Sequence, residues 1–244
     1  MLRRQFISIL SAIALIGCTT ALPNAPKTGT HTKHVIATAL WNEPVFDNDV
    51  NDFERAFSSA SSSKVSSHKL SARTALPDFT EEIGDVYLDT VEQMQQGDQL
   101  VSFITSHGYK NLVGIKTANL EVAAYGEDLN ELFTTADDFA HIIVIQACYS
   151  GSLIPALKNR NRIIITAADP NHPSFGCEPD AQNTWFTKAL KGEIKPGRSW
   201  TQIFTATKAK VAAYEASQGV PAGQGSNPQM YIGANMKDIA NAPI

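Results

Sequence analysis

Two short segments of this 244-residue chain bring together residue types suited to nucleophilic acyl transfer. One is Thr105-Ser106-His107-Gly108, the other Gln146-Ala147-Cys148-Tyr149-Ser150-Gly151-Ser152. A thiolate attacks carbonyl carbon well, and an imidazole can take the thiol proton and return it to a leaving amine. Gly108 lacks a Cβ, so its N–H can come close to a substrate carbonyl. With the Cys148 N–H it would stabilise the developing oxyanion, a contribution of about 2.7–4 kcal/mol per donor. Cys148 lies between a strand end and a helix expected to begin near Ser152, whose unpaired N–H groups and dipole favour thiolate. The competing reading makes Cys148 a small core residue and His107 a loop histidine, since free cysteine is commonly buried.

Those roles require elements that deliver both segments to one place. Val35 to Leu40, Leu100 to Thr105, His141 to Gln146 and Arg162 to Thr166 are near-continuous apolar runs, the pattern of strands buried on both faces. Helical spacing fills the intervals. Asp49 is expected to cap a helix carrying Val50, Phe53 and Phe57, and Asp78 with Glu81 to open one carrying Phe79, Ile83, Val86, Tyr87, Val91 and Met94. Further helices are expected over 127–133, 152–158, 183–191 and 199–217, the last with Trp200, Ile203, Phe204, Val211 and Tyr214 inward. Ser58 to Ser67 reads as a loop, Lys69 to Ala72 as a weak strand and Met230 to Ile232 as a last short one. This alternation predicts one α/β domain: a mostly parallel central sheet of about six strands with helices on both faces. In such sheets sites form outside the carboxyl ends of the strands. His107 and Cys148 both fall there, as does the loop after Thr166 that carries Ser174 and Cys177.

Composition narrows the classes. Hydrophobic residues make up 43%, which excludes a disordered chain, and a formal charge of −4 leaves no basic footprint for nucleic acid. Three cysteines are too few, and odd in number, for a disulfide scaffold. The first, Cys18, ends a basic-then-apolar start: Met1-Leu2-Arg3-Arg4, an apolar run from Phe6 to Ile16, then Gly17-Cys18. Leu15-Ile16-Gly17-Cys18 resembles the bacterial lipobox, which implies a signal peptide over 1–17, lipidation of Cys18 and a tether over 18–33 ahead of a domain over 34–244. Several acyl chains on one residue hold a protein at a membrane where a single chain would not. The expected location is therefore an exported lipoprotein facing the periplasm or cell exterior. Arg3-Arg4-Gln5-Phe6-Ile7 also resembles a twin-arginine export signal.

The two chemical motifs, with Ile165-Thr166-Ala167-Ala168-Asp169-Pro170 and Ser174-Phe175-Gly176-Cys177, resemble the legumain-type C13 cysteine peptidases, most closely their bacterial members. The resemblance runs from about Val35 to the Asn227–Ile232 strand, and Asn51-Asp52 is similar to a motif of the wider caspase-like superfamily. It implies the caspase-like three-layer α/β/α fold, a Cys148–His107 dyad without an obligatory third carboxylate, peptide or protein substrates, and no cofactor. In the specificity pocket the match departs. Asparagine-cutting legumains carry glutamate two residues before the nucleophile, where this chain has Gln146; their second pocket acid falls at Thr184, and their Arg-His pair near Asp47-Asn48. Gln146-Ala147-Cys148 is instead similar to the caspase Gln-Ala-Cys. A pocket of Gln146 and Ser174 suits an amide side chain, and Asp47 would favour a basic one; asparagine is preferred and basic residues come second. A non-catalytic binding module on the same fold and a transpeptidase using the same acyl-enzyme are the alternatives.

Other candidates are set aside. Cys177 is expected to be a packed loop residue near the pocket wall, and His141 structural at the far end of its strand. His31, His34 and His68 are expected to be solvated. A zinc site from His107, Cys148, His172 and Cys177 lacks any Cys-x-x-Cys or His-x-x-x-His pair, so no metal is expected. No serine-hydrolase elbow or nucleotide-binding glycine loop is present.

Overall fold

The computed structural model describes residues 31–75, 78–178 and 180–244. The signal peptide, Cys18 and nearly all of the expected tether lie outside the described residues. The strands are β1 (Lys33–Ala39), β2 (Val65–Ser71), β3 (Gln99–Thr105), β4 (Gly108–Tyr109), β5 (Leu112–Lys116), β6 (Glu121–Tyr125), β7 (Ala140–Gln146), β8 (Arg162–Thr166) and β9 (Gln229–Ile232). The helices are α1 (Pro44–Ala60), α2 (Phe79–Gln93), α3 (Gly126–Thr134), α4 (Ile154–Leu157), α5 (Trp185–Glu193), α6 (Trp200–Ser217) and α7 (Lys237–Asn241).

The central sheet runs β2-β1-β3-β7-β8-β9, and every neighbouring pair is parallel except β8 with β9. The four inner runs are almost continuously apolar because both faces are covered. Val35, Val101, Phe103, Val144 and Ile165 meet α1, α5 and α6 on one face; Ile36, Leu100, Ile143, Ile145 and Ile164 meet α2 and α3 on the other. The edge strand β2, Val-Ser-Ser-His-Lys-Leu-Ser, is polar because its surroundings are solvent. Register matters most for the site: Thr105 pairs with both Ala39 and Gln146, and Ile145 with Thr166. The loops after β1, β3, β7 and β8 therefore leave the sheet at one level.

Several local expectations are corrected. Proline at its first turn starts α1 at Pro44, so Asp49 does not cap the helix but sits fully buried inside it. Helix α1 continues to Ala60 and β2 starts at Val65, which shrinks the expected serine-rich loop to residues 61–64. The segment between Ser106 and Gly126 forms an antiparallel β4-β5-β6 sheet that the apolar pattern does not reveal; only Val113, Ile115 and Ala124 of it are buried apolar side chains. Ser199 caps α6 as its capping box requires, accepting from Gln202 N while the Gln202 side chain accepts from Ser199 N.

Candidate active site

His107 follows β3 by two residues, and strand alternation turns it toward the α1 face. Its ring sits between the edges of Trp41 and Phe46, each 5.1 Å away centroid to centroid and nearly perpendicular. Behind it, Ser106 N–H donates to the Gln146 carbonyl at 3.0 Å and Gly114 N–H to the His107 carbonyl at 2.9 Å. The imidazole Nε2 lies 3.3 Å from Glu43 Oε2, and Glu43 Oε1 accepts from Trp41 Nε1 at 3.2 Å. A carboxylate thus holds one ring nitrogen, and among the described residues Nδ1 has no hydrogen-bond partner. Sequence reasoning missed Glu43. Its only signal was an acid in the loop after β1, at the same sheet edge as His107.

Cys148 follows β7 by two residues, on the neighbouring strand. Its thiol donates to the Ser174 carbonyl at 3.3 Å, a bond that requires the proton, and burial pushes the thiol up from its ordinary range. The expected thiolate at a helix N-terminus is therefore corrected. Beyond Tyr149 the chain makes only a 3₁₀ turn (Ser150–Leu153) and the four-residue α4, too short for a sizeable dipole, and the desolvation of the thiol outweighs it. Tyr149 adopts the left-handed conformation (φ 56°), with its N–H donating to the His172 carbonyl at 3.0 Å. Gly151 N–H donates to the Ala168 carbonyl at 2.9 Å, and Ser150 Oγ accepts from Ala168 N at 3.2 Å, which fastens the turn to the end of β8.

Gly108 is the joint between the two motifs. A Cβ there would lie 2.7 Å from the Cys148 carbonyl oxygen and 2.9 Å from Ala147 Cβ, contacts that only glycine avoids. Among the described residues no acceptor is bonded to the Cys148 N–H. The sheet thus brings His107, Gly108 and Cys148 to one edge.

The expected pocket residues divide. Gln146 and Ser174 are both buried, and Ser174 Oγ donates to Gln146 Oε1 at 3.1 Å, so Ser174 joins Gln146 through its side chain and Cys148 through its backbone. Asp47 lies at the other flank, its carboxylate engaged by Ser71 Oγ and by Arg73 at 3.0 Å. Thr184 does not line a pocket: it is fully buried and donates to Asp49 Oδ2 at 2.7 Å. Asp49 also accepts from Thr184 N and Asn183 Nδ2, both at 3.1 Å, and from Thr105 Oγ1 at 3.1 Å. Burial pushes its carboxyl up to about 7 against those donors, which pull it down. The network ties α1 to the end of β3 and to the start of α5.

Cys177 is partly buried, and burial raises its thiol, with neighbouring Cys148 acting in the same direction; both cysteines are free. Gly176 before it takes φ +91°, and a Cβ there would run into Trp185 Cδ1, so the Ser174 loop passes close against Trp185. His141 is buried and bonded to Ser102 at 2.8 Å, as a structural histidine should be. His34 is not solvated but buried against Asp98, and His68 is exposed on β2 rather than in a loop. Among the described residues no group of three or more His, Cys, Asp or Glu side chains can hold a metal ion, and no helix is long and apolar enough to cross a membrane.

A model of the Peptidase C13 family matches residues 53–232, a span that holds His107, Cys148 and Ser174 but not Glu43 or Asp47. Among solved structures, caspase-1 from Spodoptera frugiperda is similar at 17% identity and a TM-score of 0.60, over 91% of this chain and 93% of that one. The pro-form of the same caspase is similar at 15% identity and a TM-score of 0.56, over 89% and 97%. A Geobacter sulfurreducens protein is similar at 12% identity and a TM-score of 0.61, over 86% and 97%. No curated protein sequence matches the chain.

Proposed function

The chain belongs to the Peptidase C13 family, with a caspase-like fold and a cysteine peptidase-type function on peptide or protein substrates, and from that premise we propose a membrane-anchored endopeptidase working through Cys148 and His107. The observation that carries the reading is the juncture at Gly108, where the His107 loop packs directly on the backbone of Cys148.

Catalysis begins when the Cys148 thiol leaves the Ser174 carbonyl and passes its proton to His107, with Glu43 holding the imidazolium. Sγ attacks the scissile carbonyl, and the Gly108 and Cys148 N–H groups receive the oxyanion. The C–N bond then breaks, His107 protonates the departing amine, and a thioester remains. Water attacks that thioester with His107 again as base and frees Cys148. A buried, protonated resting thiol is compatible with this scheme because the base need only act when substrate is bound.

Asparagine is the preferred residue before the cut. Gln146 and Ser174 offer amide-pairing groups, and Arg73 already neutralises Asp47, which weakens the case for a basic residue. Cys18, by its lipobox, anchors the chain on the outer side of a membrane, and metabolic labelling with a radioactive fatty acid, lost in Cys18→Ala, checks this. The enzymatic reading is tested by treating the full chain with electrophilic peptides. Labelling should fall on Cys148 and quicken toward alkaline pH, because the thiol's pKa is raised. A peptide library cleaved by wild type, with cuts after asparagine, should be left intact by Cys148→Ala. Equal cleavage by that variant would end the assignment.

A further inference from the structure

We propose that Tyr109 and Tyr149 form the subsite for the substrate residue just after the cleaved bond, and that this subsite takes an aromatic side chain. The proposal rests on the reading of Cys148 and His107 as the catalytic pair.

Each tyrosine immediately follows one of the two oxyanion donors: Tyr109 follows Gly108 and Tyr149 follows Cys148. Their rings meet edge to face at 5.3 Å and 65°. Tyr109 is 60% exposed, one of two large hydrophobic side chains held in solvent among the described residues. An exposed ring set edge to face against a partner beside a nucleophile is apolar surface with room for a third ring.

The mounting is rigid. Tyr149 occupies a left-handed backbone conformation that is unfavourable for a side chain of its size. Its N–H is bound by the His172 carbonyl, and its own carbonyl accepts from Ser152 N–H at 2.9 Å and Ser152 Oγ at 2.6 Å. The same Ser152 Oγ accepts from Asn111 N–H at 2.7 Å, so the turn that carries Tyr149 and the hairpin that carries Tyr109 are joined. The ring this turn positions is partly in solvent.

The faces of the sheet decide which substrate residue the pair meets. Gln146 alternates with Val144 and Ile142, so it and its partner Ser174 belong to the α1 side. The hairpin packs through Val113, Ile115 and Ala124 into the opposite core with Ile104 and Ile145. Cys148 stands at the edge between them. Successive side chains of an extended peptide point to opposite sides. A substrate that puts one side chain toward Gln146 therefore puts the next toward the tyrosines, and that next residue carries the leaving amine.

The acyl-enzyme offers a direct measurement. An added amine competes with water for the thioester: its nitrogen bonds the carbonyl carbon, the C–S bond breaks, and His107 moves the amine proton to Sγ. With the full chain and one peptide ester as acyl donor, phenylalanine amide and glycine amide are offered as acceptors at equal concentration. The ratio of the two transfer products is internal to each enzyme, so differences in overall rate do not enter it. Wild type should favour phenylalanine amide by roughly tenfold. Tyr109→Ala should bring the ratio down to about threefold or less, and Tyr109→Phe should keep it, since the ring and not the hydroxyl acts. Equal partition in wild type, or an unchanged ratio in Tyr109→Ala, overturns the subsite alone. Failure of Cys148 to form an acyl-enzyme overturns the subsite together with the enzymatic reading.

Discussion

Two histidine–carboxylate pairs stand at opposite ends of the same sheet with the same separation. His34 Nε2 lies 3.3 Å from Asp98 Oδ2 at the amino end, and His107 Nε2 lies 3.3 Å from Glu43 Oε2 at the carboxyl end. Their surroundings differ. The side chains of the first pair are 10% and 8% exposed, those of the second 36% and 38%. Asp98 also accepts from Thr32 N at 2.8 Å and Gln95 N at 3.0 Å, so it closes the starts of β1 and β3. Burial alone would raise its carboxyl, but these donors and His34 hold it below the ordinary range. Glu43 has one further donor, the Trp41 indole. A saturated, buried pair is a fastener. A half-exposed pair with an imidazole nitrogen left over can exchange protons.

The two ends of the sheet differ most decisively at the thiol. Cys148→Ala should lower peptide cleavage by about 10³-fold or more with folding intact, and no change at His34 or Asp98 should approach that loss. Gly108→Ala comes next. Its methyl group would drive into the Cys148 carbonyl, and the displaced donor should cost on the order of 10²-fold in kcat, read by steady-state kinetics.

The pairs themselves should then separate by readout. Asp98→Asn should cost about 1–3 kcal/mol of stability in urea melts while leaving the catalytic rate alone. Because Asp98 is depressed in the folded state, that contribution is present above the unfolded carboxylate range and fades as pH falls through the folded value. Glu43→Gln should barely move the melt but lower kcat/KM by about two- to fivefold, as a half-exposed ion pair warrants. A stability loss without a kinetic one would make Glu43 another Asp98.

The smallest effect is one of slope. Asp49 is raised, the opposite of Asp98, so the native state binds its proton more tightly and stability from this group falls as pH rises from about 4 to about 7. Asp49→Asn should be less stable throughout, because it loses an acceptor for Thr184 and Thr105, but its stability should vary less over that range in urea melts.

Much of this was readable in one dimension. Strands β1, β3, β7 and β8 announced themselves as apolar runs because strands covered on both faces have no polar side to show. The hairpin did not, since Leu112 to Lys116 bury only two residues and the rest face outward or hold the turn. Asp49 reads as a helix cap because aspartate is favoured at N-cap positions; Pro44 already starts the helix, and the acid inside receives Thr184 and Asn183. Thr184 aligned with a pocket acid, yet its hydroxyl turns inward to that same carboxylate.

The amino-acid sequence by itself determined the order of the inner strands of the central sheet and the helices between them, and placed His107 and Cys148 just beyond two strand ends, because periodicity and chain direction are local properties. Tertiary structure alone decided what each of those side chains meets. Glu43 reaches His107 from 64 residues away, Ser174 receives the Cys148 thiol from 26, and burial rather than a helix sets the thiol's proton. Partners at such separations depend on sheet register and on the face each strand turns to the core, and those are settled only when all six strands of the central sheet have paired.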